Sequence, residues 1–148
     1  MNLPMKTMLT TKLPVNETFS GLHQLTDYLV HSFQLNDTNN KSFFFNEIPD
    51  HLHLVTDKKI VASVLSGVLS AVASHTADTC IHLSAKTYGN VVLVRVKDTS
   101  GLNIDAIESN VSKLRPLAEK MRGSVGVTSQ RKKLTTITFG FPNLPLQN

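Results

Sequence analysis

The apolar positions between Thr56 and Lys97 set the plan of the chain. Ile60, Val61, Val64, Leu65, Val68, Leu69 and Val72 recur every three to four residues, the period of a helix that buries one face. Asp57 stands at its start as an N-cap, because its carboxylate can accept from the unpaired amides of the first turn. Residues 79–87 and 91–97 then read as strands, and Tyr88-Gly89-Asn90 between them is hairpin turn chemistry. The other face of the long helix carries Ser63, Ser66, Gly67, Ser70, Ala71 and Ser74. A solvated face normally shows Glu, Lys and Gln. Small residues instead imply the close approach of a ligand, a loop or a partner, or a helix packed on both sides.

The same patterning orders the rest. Residues 7–13 read as a short edge strand closed by Pro14. Residues 18–33 form a first helix, with Phe19, Leu22, Leu25, Leu29 and Phe33 as its stripe, and a polar loop over 36–40 ends it. Residues 41–48, rich in Phe43, Phe44 and Phe45, read as a buried strand, and 52–55 as a short strand entering the long helix. Residues 104–121 are helical in pattern, interrupted by Pro116 and stopped at Gly123. Strands over 124–129 and 134–141 are joined through Arg131-Lys132-Lys133. The expected class is α+β: a two-layer α/β sandwich whose mixed, mostly antiparallel sheet carries three helices on one face. One domain spans residues 1–148, with its core over about 9–142 and a tail over 143–148.

Composition narrows the function. The formal charge of +4 is spread along the chain, with no Trp and two Tyr, so no nucleic-acid partner is expected. Cys80 is the single cysteine, which excludes an intramolecular disulfide and fits the reducing cytosol. No run approaches the roughly 20 apolar residues of a membrane span, and residues 1–9 lack the apolar core of a signal peptide; a cytoplasmic location is expected. His23 and His31 are followed by Gln24 and Ser32 rather than by an acid, and read as ordinary surface histidines. His51 with His53, and Cys80 with His82, are pairs, whereas zinc takes three or four protein ligands.

At this point the residues resemble a family. Residues 49–57 look like the strand and cap before the nucleotide-binding helix of sensor histidine kinases. Residues 64–71 line up with the asparagine box of that helix, and Asp98-Thr99-Ser100-Gly101 with the first glycine box. Residues 121–127 resemble the helix end and strand that follow, and 134–142 the closing strand. The resemblance covers nearly the whole chain and implies the Bergerat-type ATP-binding (GHKL) fold shared by gyrase, heat-shock chaperone, histidine kinase and mismatch-repair ATPases. It also implies an adenine pocket at Asp98, Gly101 and Thr135, in which Asp98 accepts from the adenine amino group; the competing reading of Asp98 is a cap on the turn after a strand.

The departures from that family matter as much. The magnesium-holding asparagine is matched by Ala71, which has no oxygen, whereas magnesium requires oxygen ligands. The glycine-rich lid is missing, and its second box is matched by Glu108 and Asn110. The expectation is therefore a degenerate, non-catalytic (pseudo-ATPase) member. It would have no catalytic residue, no metal and no cofactor, and would serve as an interaction or regulatory module with a protein partner. The alternative is a divergent ATP-binding domain of a two-component sensor histidine kinase, using ATP with magnesium.

Overall fold

The structure is a computed structural model describing residues 21–36, 43–75, 80–99, 104–130 and 134–145. Helix α1 is Leu22–Asn36 and strand β1 is Phe43–Asn46. Helix α2, Lys58–His75, is followed by the hairpin β2, Cys80–Tyr88, and β3, Val91–Asp98. Two short helices come next, α3, Ile104–Ser112, and α4, Arg115–Glu119. Strands β4, Ser124–Gln130, and β5, Leu134–Pro142, complete the fold. The sheet order is β1-β2-β3-β5-β4. β1 runs parallel to β2 and every other pairing is antiparallel. This is the expected mixed α+β sandwich.

The core lies between the sheet and the helices. Strand side chains alternate faces, so Ile81, Leu83, Val92, Val94, Val96, Val125, Ile137, Phe139 and Phe141 all point inward and are buried. They meet Leu22, Leu25 and Leu29 of α1 and Val61, Val64, Leu65, Val68, Leu69 and Val72 of α2. Asp57 caps α2 as its sequence requires: its Oδ1 accepts from the amide of Lys59 at 2.9 Å and that of Ile60 at 3.4 Å. Gly89 takes φ +62° in the β2–β3 turn, a conformation glycine enters without Cβ strain.

Several boundaries differ from the sequence expectation. α1 starts at Leu22 because Gly21 is engaged in an antiparallel bridge with His53, and Leu22 N donates to Leu52 O at 3.0 Å. Residues 52–55 form that bridge rather than a strand. They are tied down by Asn143, whose Oδ1 accepts from Val55 N at 2.8 Å and Thr56 N at 3.3 Å while Nδ2 donates to His53 O at 2.8 Å. β1 is an edge strand and not a buried one. Only Phe44 packs toward the core, while Phe43 and Phe45 are 58% and 45% exposed. The helical pattern over 104–121 resolves into α3 and α4, with Pro116 in the first turn of α4, where its missing N–H costs nothing. The helix stop also differs: Arg122, not Gly123, takes the left-handed conformation, at φ 62°. The expected strand over 7–13 and the residues at 18–20, 37–40 and 131–133 lie outside the described residues.

Candidate functional site

Gly67, Ser70, Ala71 and Ser74 share one face of α2, at helical spacings of three and four. The structure shows what comes close to it. A Cβ built on Gly67 would lie 2.5 Å from Leu114 Cδ2 and 2.9 Å from Leu114 Cδ1. Leu114, at the junction of α3 and α4, therefore rests directly on the α2 backbone. Ala71 is 4% exposed. Ser63, Ser70 and Ser74 reach solvent. The small-residue stripe is thus part protein contact and part surface.

The lid region follows from the same packing. Two residues, Leu102 and Asn103, separate Gly101 from the start of α3, and α3 packs against α2 and β4. Arg115 then fastens α4 to the sheet edge, with Nε donating to Val125 O at 3.2 Å. Its Nη2 binds Glu108 Oε2 at 3.0 Å, with both side chains nearly half exposed. Glu108 at the second-glycine-box position is therefore held in an ion pair, and Asn110 donates to Ala106 O at 3.0 Å within α3.

Of the three residues expected to line an adenine pocket, two are brought together. Asp98 and Thr135 are directly paired across β3 and β5, both facing inward and both 0% exposed. Gly101, the third residue of the set, lies outside the described residues. Among the described residues the Thr135 hydroxyl has no hydrogen-bond partner. A buried, unpaired hydroxyl costs about 1–3 kcal/mol. Three surface grooves lined by described residues, of about 790, 470 and 410 Å³, do not include this pair. Thr135→Val keeps the shape and removes the orphan. It is expected to raise stability by about 1 kcal/mol, read as a higher urea midpoint; a fall of that size would show that the hydroxyl has a partner.

At the position that the resemblance matches to the magnesium-holding asparagine stands Ala71, buried and without a side-chain oxygen. Leu114 also stands over the α2 backbone one turn before it. Among the described residues no three or more His, Cys, Asp and Glu side chains converge on a metal position.

His23 is fixed from both ring nitrogens. Nδ1 meets Ile48 O at 2.6 Å, and Nε2 lies 3.3 Å from Asp27 Oδ2 and 3.5 Å from Asp50 Oδ1. These contacts make His23 a link between α1 and the segment after β1. Sequence reasoning missed this cluster, because Asp50 and Ile48 are remote from His23 along the chain. It also missed Asn143, placed in the tail by position alone.

Comparison with known proteins places this architecture. No family model matches the sequence, and no curated protein matches it significantly. Solved structures do. The histidine kinase AdeS of Acinetobacter baumannii superposes with a TM-score of 0.71 at 10% identity, over 94% of this chain and 73% of that one. The catalytic domain of histidine kinase ThkA, in a nucleotide-free form, gives 0.70 at 16% identity over 86% of this chain and 97% of that one. ThkA in complex with the response regulator protein TrrA gives 0.66 at 14% identity, and this chain spans 95% of its own length but 47% of that one. No described helix is long and apolar enough to cross a membrane. With its five-stranded mixed sheet under a helical layer, the chain has the fold of histidine kinase ATP-binding domains.

Proposed function

We propose that the chain is a non-catalytic, histidine kinase-like domain that acts in signal transduction by contacting a protein partner, without ATP or magnesium. The contact of Leu114 with Gly67 carries this reading, because it puts a side chain against the helix face that ATP-binding relatives keep for phosphate and metal. Ala71 on the same face supports it by having no oxygen to offer magnesium. A cytoplasmic location agrees with the lone Cys80, and a protein partner agrees with the ThkA complex.

A second reading has one observation in its favour. The orphaned Thr135 hydroxyl beside buried Asp98 suits a purine, as in a divergent sensor-kinase domain that passes phosphate to a histidine on another domain or chain. The two readings separate in a thermal-shift titration with ATP and magnesium. A ligand at one hundred times its Kd adds about 2.7 kcal/mol to stability. The non-catalytic reading predicts no shift at millimolar ATP. A magnesium-dependent shift that Asp98→Ala removes would establish the second reading instead.

A further inference from the structure

We infer that the open face of the sheet is a binding platform for single-stranded nucleic acid, a function beyond the protein contact proposed above. Helices cover one face of the sheet, and the outward strand positions form the other. No outward position of the five described strands is Asp or Glu. Lys86, Arg95 and Lys97 all point outward, and none forms an ion pair among the described residues. One carboxylate borders the face: Glu47, just after β1, whose Oε2 lies 3.7 Å from His82 Nδ1.

Aromatic rings stand beside these cations. Phe43 and Phe45 are on the same outward face, two strand steps or about 6.6 Å apart, and are 58% and 45% exposed. Phe45 is stacked on His82, with centroids 5.0 Å apart and planes 17° from parallel. Strand register sets Phe45, His82, Lys97 and Thr136 side by side in one row. The next row is Ser84, Arg95 and Thr138. Flat rings, adjacent cations and short hydroxyl side chains are the combination that binds single strands: bases stack on the rings and phosphates meet the cations. The net charge of +4 attracts the same polymer. An acidic protein surface would use the cations but gains little from two exposed rings at the sheet edge, so the rings favour nucleic acid. The sequence expectation of no nucleic-acid partner rested on spread charge, no Trp and only two Tyr; folding brings Phe43, Phe45 and His82 together from separate strands.

The test uses the full chain and fluorescein-labelled oligo-dT of about twenty nucleotides, followed by anisotropy at low salt. Micromolar binding is expected. Phe43→Ala with Phe45→Ala should weaken it at least tenfold by removing stacking. Lys97→Ala should weaken it and reduce the steepness of the salt dependence, by about 0.7 per cation on a log–log plot for single strands. Glu47→Gln should tighten it two- to threefold. All four sites are exposed side chains, and circular dichroism checks each variant for folding. No binding of the folded chain at tens of micromolar would overturn the inference. So would binding that ignores the two rings, or that polyglutamate of equal charge displaces as well as oligo-dT does; either result would assign the face to an acidic protein.

Discussion

Phe139→Ala is expected to cost about 3–5 kcal/mol of stability, the range for truncating a fully buried phenylalanine. Phe139 is 1% exposed in the middle of β5, paired with Val94 on one side and Val125 on the other. Its ring tilts against Phe141 with centroids 4.9 Å apart. Removing the ring takes away a contact surface shared by β3, β4, β5 and the helices above, and such interiors do not collapse to fill the space. Domains are stable by about 5–15 kcal/mol in total, so the variant sits near the limit of folding. Urea unfolding gives the reading, with a lower midpoint and an unchanged slope. A loss below about 1 kcal/mol would mean that the sheet and helices do not meet as described.

Gly123→Ala is expected to cost about 2 kcal/mol or more, by overpacking against atoms that cannot rotate away. A Cβ at Gly123 would lie 2.6 Å from the carbonyl oxygen of Gly140 and 3.1 Å from Phe141 Cβ. The nearest obstacle is the backbone of β5, so relief requires β4 and β5 to shift. Gly67 differs, because its nearest neighbour is the end of the flexible Leu114 side chain. The adjacent control is Arg122→Gly. Arg122 holds φ 62°, where an L-residue pays about 1–2 kcal/mol, so glycine there should be neutral or stabilising. Thermal unfolding of the two variants compares them directly. Equal destabilisation by both would contradict the assignment of close approach to Gly123 and of the left-handed turn to Arg122.

Much of this fold was legible in local pattern. The α2 stripe, its Asp57 cap, the Gly89 turn and the alternation of β2, β3 and β5 each follow from residues near one another in the chain. What escaped was fixed by distant residues. The bridge from Gly21 to His53 moved the start of α1, and Asn143 reached back to hold residues 53–56. The three phenylalanines of β1 looked like a core strand, yet a strand at the sheet edge buries one face against helices and leaves the other open. The pairing of Asp98 with Thr135 follows from the register of β3 and β5, whereas the seating of Leu114 on Gly67 has no signature in sequence beyond the smallness of residue 67. Gly123 is a similar case: the sequence shows that a glycine is present, and only the neighbouring strand shows why.

The central proposal is that the face of α2 beside Leu114 does not seat a metal-bound triphosphate. The most direct measurement is a crystal structure of the chain grown with a non-hydrolysable ATP analogue and magnesium at millimolar concentration. The account predicts that Leu114 stays against Gly67, with no triphosphate or cation density beside Ala71. Ordered phosphates and a magnesium ion there, with Leu114 displaced, would contradict it.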